Sequence, residues 1–589
     1  MKKNNFIYIF SITVLYCLPI ILGTSYYYDD LFRAYSGYSS WNADGRPFAN
    51  LFYQILTFGQ TMPDSFPVAL ILSIAIFSYV GYILGKNNGV GRSFVFSIAY
   101  STLIMSPLFI SNLLFRYDSS FMVLAVAASV LPYAIDNKSF TNKLLSVAAI
   151  IVSLGLYQAA VSLFIAFAGI EFLKISIYKQ LSDAFKACAL RVLQLLVAYV
   201  IYSKIILNLF FIDDYFKSFN KPIGINKSGF DTLLHNINSS LPTIELVFNN
   251  GFIIAFSAVF ILTSLSLLSH LLKYRKISFL IGVLAAILAV MISVPGIAIF
   301  GENPIFYPRV YIGFSALIFF VFVTPIILKK NSRVILGAQL IATFYLFSLM
   351  NAATNAVRSD VDFQRVTAER IINNLDTLGA STYHKVVILG QLRNSPLAHI
   401  NSLSYPVIKV LVPQHFINGY DGGRYTLMHQ GLDYVEYPTP SEQSKYRDII
   451  SGRKDDFSNN LYSIYLVNGT AVIDFEKTKY DNINSSMLSY NYKNKDVNDV
   501  YYGSNYFHAC VSNSLSPTLK IHEWYYLLFH MKNGEVSNRS FSVPYGVERN
   551  NSTCLVSQWN DSIDVNNVES IEFGIYNIDT VIRRLDLGN

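Results

Sequence analysis

The chain has 589 residues, of which 52% are hydrophobic and only 14% charged, and its formal net charge is +7. A soluble domain of this length needs more charge to cover its surface, so the composition excludes an ordinary soluble protein and indicates a polytopic membrane protein. The positive balance suits cytoplasmic loops and requires no nucleic acid partner.

Lys2 and Lys3 precede an apolar run near residues 6–24 that lacks a small-x-small cleavage site, so it reads as an uncleaved signal anchor. Further stretches able to cross about 30 Å of hydrocarbon fall near 66–85, 93–112, 119–135, 190–211, 251–271, 277–298, 309–328 and 334–353. The region 144–173 is long for one helix and short for two. Gly155, Tyr157 and Gln158 predict a break near its middle. Counting it as two helices puts Lys86, Arg92, Lys138, Lys143, Lys174, Lys179 and the later basic loops on the cytoplasmic side, and gives about eleven spans. The expected fold is therefore an α-helical polytopic bundle, with residues 1–353 as the transmembrane domain.

Beyond residue 354 the composition turns to Asn, Asp, Ser and Tyr. Residues 354–383 read as a helical connector, and 384–589 as a soluble, periplasmic α/β plus β-rich domain. Lys385 to Gly390, Val407 to Val412, Lys520 to Lys532 and Ser540 to Val547 read as strands. The four cysteines show no CxxC spacing; Cys510 and Cys554 in the tail are either paired or two buried thiols. The nine histidines form no HExxH.

This topology collects the polar signals on one face. Outside lie Tyr26 to Asp64, with Asp29, Asp30, Arg33, Trp41, Asp44 and Arg46; then Arg116 to Asp118; Tyr157 and Gln158; residues 212–249; and Glu302 to Arg309. Acids cost several kcal/mol inside hydrocarbon, so a pair directly after a span marks solvent or chemistry. Arginines can hold phosphate oxygens by paired N–H donors, and an acid can take the proton of an incoming hydroxyl. That is what transfer from a lipid-linked sugar phosphate requires. Neither GxGxxG nor GxxxxGK[ST] is placed to bind a nucleotide. Plainer readings stand beside this one: Asp30 and Asp118 as helix N-caps, Arg46 and Arg309 as interfacial anchors, Tyr157 and Gln158 as fillers of a helical hairpin.

The ordered set of Asp29-Asp30, Asp44-Gly45-Arg46-Pro47-Phe48, Phe115-Arg116-Tyr117-Asp118-Ser119, Leu156-Tyr157-Gln158-Ala159 and Tyr307-Pro308-Arg309 resembles the serotype-converting O-antigen glucosyltransferases of bacteria and phages, within the GT-C class. The resemblance covers roughly residues 1–370. It implies an undecaprenyl-phosphate-glucose donor, a hydroxyl of an O-antigen (lipopolysaccharide) repeat as acceptor, and inverting transfer on the periplasmic side of the inner membrane. It further implies Asp29 or Asp30 as general base, with the other orienting the acceptor or helping to hold a cation. Arg46, Arg116 and Arg309 fall to the donor phosphate, and Asp44, Asp118, Tyr157 and Gln158 to the sugar and acceptor. Some members of the class use a divalent cation, and the resemblance leaves that open here. The alternatives are a transporter or flippase of lipid-linked sugars, an assembly protein working through its tail, or transfer to another acceptor such as teichoic acid or protein.

Overall fold

In the computed structural model the described residues are 5–589 except Thr24, Gln60, 91–92, 331–332, 380–384, 433–438, Asn460, 477–487, 491–496, 503–505, 513–524, 537–539, Val543, 550–551, 559–567, 576–579 and 587–589. Lys2, Lys3 and Arg92, used above for orientation, lie outside them, as does the start of the strand expected at Lys520. The chain divides into two compact units. One is Met1–Val361 with Tyr405–Pro413; the other is Asp362–Ser404 with Gln414–Asn589.

The first unit is helical. Its elements are α1 (Asn5–Gly23), α2 (Asp29–Ser36), α3 (Pro47–Thr57), α4 (Val68–Asn87), α5 (Phe94–Ser101), α6 (Ile110–Leu114), α7 (Ser119–Ala134) and α8 (Phe140–Leu156). There follow α9 (Val161–Tyr178), α10 (Leu181–Ile201), α11 (Asp214–Asn220), α12 (Lys227–Glu245), α13 (Asn250–Tyr274), α14 (Ile277–Ser293), α15 (Gly313–Ile327) and α16 (Arg333–Thr377), whose last turns pass into the second unit.

The expected eleven spans are not what forms. Among the described residues six helices are long and apolar enough to cross a membrane: Asn5–Gly23, Val68–Asn87, Gln158–Tyr178, Leu181–Leu209, Asn250–Tyr274 and Arg333–Thr377. α7, α8, α14 and α15 are apolar but have only 15 to 17 residues. At 1.5 Å per residue they reach about 23–26 Å, short of about 30 Å of hydrocarbon. The stretch expected as one span at 93–112 is broken: α5 ends at Ser101, a turn runs through Pro107, and α6 follows. These turns are themselves apolar, so hydropathy counted them as helix. The break expected near Gly155 is present, with Tyr157 extended between α8 and a short 3-10 turn at Gln158–Ala160.

Long apolar side chains remain exposed on the outer faces, Leu193, Leu196 and Val200 on α10, Ile254, Ile261 and Leu265 on α13, and Leu284 and Leu288 on α14. A band of this kind is stable against lipid and not against water, so the protein is embedded in a membrane. Inside, α9 and α14 meet through small residues. A Cβ on Gly169 would lie 2.5 Å from that of Ala289, and one on Gly282 2.9 Å from that of Ser176. Only glycine allows that approach, the usual source of close packing between membrane helices.

The lysines of the short loops, Lys86, Lys138, Lys174, Lys179, Lys273 and Lys329, gather at one end of these helices. There Asn87 at the end of α4 donates to the Ala134 carbonyl at the end of α7, Lys174 meets Asn88, and Tyr178 donates to Ile327 at the end of α15. The opposite end carries residues 25–59, 61–66, 115–118, 157–160 and 297–310.

In the second unit β1 (Lys385–Leu389) is a strand as expected, pairing in parallel with β4 (Thr470–Asp474), which continues antiparallel to β3 (Ser463–Val467) and β2 (Phe457–Ser458). Ala368, Ile371 and Leu375 of α16 share its core with Val386 and Ile388. The segment expected as a strand at Val407–Val412 is instead a 3-10 turn over Pro406–Val410. Pro406 and Pro413 bracket it and lack the N–H that a ladder needs. Two antiparallel sheets follow, of five and four strands among the described residues. In the first, the backbone register sets Cys554 opposite Cys510.

Candidate functional site

The chain leaves α1 and turns sharply. Tyr28 takes φ +44°, a left-handed conformation uncommon for a bulky residue and one that stores strain beside the acids. Asp29 and Asp30 are then the first two residues of α2, and Tyr28 holds the cap position without a side-chain bond. Neither acid is the N-cap. Both sit in the first turn, where negative charge suits the helix dipole.

The two neighbours differ completely in environment. Asp30 is fully buried, and its carboxylate accepts from the backbone N–H of Tyr27 at 3.1 Å, Arg116 at 2.9 Å and Tyr117 at 3.3 Å. Burial, with the Asp118 carboxylate adding to it, pushes its pKa up to about 7 against those donors. Asp29 is 43% exposed, and its Oδ2 receives Nη1 of Arg309 at 3.1 Å. Burial would raise its pKa, but Arg309 and then Arg33 outweigh that and hold the carboxyl below its usual range. Thus Asp30 ties two loops together, while Asp29 meets solvent as a carboxylate.

Asp118 precedes α7 at the cap position, yet makes no cap bond. Its Oδ2 takes Nη1 of Arg33, and its Oδ1 takes Trp41 Nε1 at 2.9 Å and Arg46 Nη1 at 3.2 Å. Arg33 is 2% exposed, so this carboxylate neutralises a guanidinium buried in the unit. Arg46, followed by Pro47 at the start of α3, lies over the Tyr157 ring at 4.7 Å; its buried Nε has no hydrogen-bond partner among the described residues. The Tyr157 hydroxyl donates to the Arg309 carbonyl at 3.1 Å, and Asn112 Nδ2 donates to the same oxygen at 3.0 Å.

Gln158 and Tyr202 secure the loop before Arg46. The Gln158 amide donates to the Gly45 carbonyl at 2.9 Å, and the Tyr202 hydroxyl donates to that oxygen at 2.7 Å. Gly45 takes φ +67°, and a Cβ there would sit 2.6 Å from the Phe216 ring, so this turn requires glycine. Asp44 beside it is half-buried, and burial raises its pKa although Arg46 and Arg33 oppose the rise.

Most residues expected at the site therefore converge: Asp29, Asp30, Asp44, Arg46, Asp118, Tyr157, Gln158 and Arg309 form one connected set. Arg116 stands apart. Its Nε and Nη2 hold Asp64 Oδ2 at 2.9 and 2.8 Å, and its guanidinium stacks on Phe66. Arg33 and Trp41 were legible only as outward-facing residues, and Tyr202 carried no sequence signal because it lies inside an apolar run. Among the described residues no three His, Cys, Asp or Glu side chains come together to hold a metal ion.

Against families of known proteins, the family described as glucosyl transferase GtrII matches residues 18–322, more than half the chain and every residue of this set. The chain belongs to the GtrII glucosyl transferase family. The match makes it a glycosyltransferase of the GT-C type and sets aside the transporter reading. A protein of Salmonella phage P22, described as an uncharacterized 55.3 kDa protein in the gtrB 5' region, is 26% identical over 494 residues, spanning 81% of this chain and 100% of the phage protein. No solved structure matches the chain.

Proposed function

We propose that this glycosyltransferase moves a hexosyl group, glucose by resemblance, from undecaprenyl phosphate to a hydroxyl of an O-antigen repeat, with inversion. The observation that carries the reading is the Asp29–Arg309 pair: an exposed, ionised carboxylate and a guanidinium within one site of a family member. The acceptor oxygen attacks the anomeric carbon as the bond from that carbon to the phosphate oxygen breaks. Asp29 takes the hydroxyl proton. Arg309 and Arg46 hold the charge that develops on the departing polyprenyl phosphate, with Arg116 the third candidate once Asp64 yields to it. Asp30, Asp118, Tyr157 and Gln158 position these groups, and Asp44 faces the sugar or acceptor.

The experiment that tests this reading compares the O-antigen repeat from cells with and without the gene, by mass and linkage analysis. A gain of one hexose per repeat is expected. An unchanged repeat, with the protein present in the membrane, sinks the acceptor assignment.

Arginine offers a planar two-point contact that lysine lacks. Arg309→Lys and Arg46→Lys are therefore each expected to lower donor turnover clearly while the protein still inserts. Wild-type turnover in both would move phosphate binding to Arg116.

We further infer that the site faces the periplasm, because the lysines of the short loops lie at the other end of the helices and short basic loops stay in the cytoplasm. Tyr38, 60% exposed in the loop beside the site, and Lys138, in the turn between α7 and α8, mark the two ends. In intact spheroplasts an impermeant maleimide is expected to label Tyr38→Cys above the wild-type background and to leave Lys138→Cys unlabelled. The reverse pattern inverts the orientation.

A further inference from the structure

At the lysine-rich end, away from the site, the helices enclose a cavity of about 670 Å³. This is within the range of small-molecule sites. Its inner wall is apolar and aromatic, formed by Phe96, Phe167, Ile170, Phe319 and Val323, all buried. Its rim carries Asn88, Lys174, Tyr178 and Lys329. From Phe167 at the inner end to Tyr178 at the rim is eleven residues of one helix, about 16 Å at 1.5 Å per residue. That depth is close to the half-thickness of the hydrocarbon core, about 15 Å.

The rim is cationic. Glu171 also lines the cavity, but both its oxygens are taken by Arg191, at 2.8 and 2.9 Å, so the rim keeps a net positive charge. Lys174 donates to the Asn88 amide oxygen, Lys329 lies 5.3 Å from the Tyr178 ring centroid, and neither makes an ion pair among the described residues. Lys329 also takes φ +56°, the left-handed position after a helix where glycine is the unstrained choice. A lysine kept there, at the mouth of an apolar cavity one leaflet deep, points to a ligand with an anionic head and a hydrocarbon tail.

We propose that this cavity binds an anionic glycerophospholipid from the leaflet on the lysine-rich side, its phosphate between Lys174 and Lys329 and one acyl chain among the aromatic side chains. Basic pockets between membrane helices recognise lipid phosphates through this combination of charge and groove. The site is separate from the Asp29–Arg309 pair and does not depend on the reaction assigned to it.

The test is native mass spectrometry of the full-length protein in detergent, titrated with phosphatidylglycerol and with phosphatidylcholine. Phosphatidylglycerol is expected to bind about tenfold more tightly, and the K174Q/K329Q variant to lose about that factor for phosphatidylglycerol alone. Val323→Phe, which fills the lumen and leaves both lysines, is expected to weaken both lipids. If K174Q/K329Q does not yield folded protein, Lys329→Gln, at an exposed position, is expected to give part of the loss. Equal binding of the two lipids, unchanged binding in the lysine variants, or displacement of phosphatidylglycerol by equimolar undecaprenyl phosphate would overturn the assignment.

Discussion

Asp29→Asn is expected to leave the protein in the membrane at normal yield and to reduce hexosyl transfer by about 10²- to 10⁴-fold, the usual cost of losing a general base. The amide keeps the size of the side chain and an acceptor for Arg309, but takes no proton from the acceptor hydroxyl. Asp30→Asn should behave differently. Its carboxylate accepts three backbone N–H groups, two on Oδ2 and one on Oδ1, so whichever way an amide is turned its NH₂ faces at least one donor it cannot satisfy. Each donor left unpaired costs about 1–3 kcal/mol, so the folded yield should fall while transfer per folded molecule is better preserved. Activity normalised to folded protein separates the two. Full activity in Asp29→Asn, or a loss in Asp30→Asn with undiminished yield, would reverse the roles given to these acids.

The largest effect on stability is expected at Asp118. Replacing it by Ala strands Arg33, which is almost fully buried, and removes the acceptor of Trp41 Nε1 and one partner of Arg46. Removing one member of a buried ion pair typically costs about 3–5 kcal/mol, because the surviving charge stays desolvated. Detergent-solubilised Asp118→Ala should therefore lose its monodisperse fraction at clearly lower temperature than wild type. Adding Arg33→Met, which removes the stranded charge at similar length, should restore part of the loss. An unchanged melting profile in the single variant would show that Asp118 is not the keystone of this cluster.

Much of this site could be read from the sequence because its residues lie where apolar runs stop. Asp29 and Asp30 follow one helix, Asp118 precedes another, and Gly155 with Gln158 interrupts a third run. What the residues do there was not legible. Nothing local distinguishes Asp29 from Asp30: their difference arises from the backbone of residues 116–117, more than eighty positions away, which donates to one and not the other. The span count failed for a related reason. Residues 102–109 include Leu103, Ile104, Met105, Leu108 and Phe109, all buried, and irregular backbone at membrane depth is tolerated when protein surrounds it. Hydropathy measures the side chains and cannot see that the helix has ended. The segment at Val407–Val412 was misread because a short apolar run fits a strand or a turn equally well, and packing decides.

That segment also bears on how this enzyme can be dissected. The Tyr27 hydroxyl, two residues before Asp29 and almost fully buried, donates to the Leu411 carbonyl at 2.8 Å. Its acceptor therefore lies some 380 positions downstream, in a short return of the chain to the helical unit. The helical unit is not a contiguous stretch of the gene. A polypeptide stopped after Val361 would carry the acids, the arginines and the whole family-matching region, yet lack Tyr405–Pro413 and take the Leu411 carbonyl from the Tyr27 hydroxyl next to the strained turn at Tyr28. Inactivity of such a truncation would report the missing return segment as readily as a missing tail function, and supplying 405–413 in the same open reading frame is the control that tells them apart.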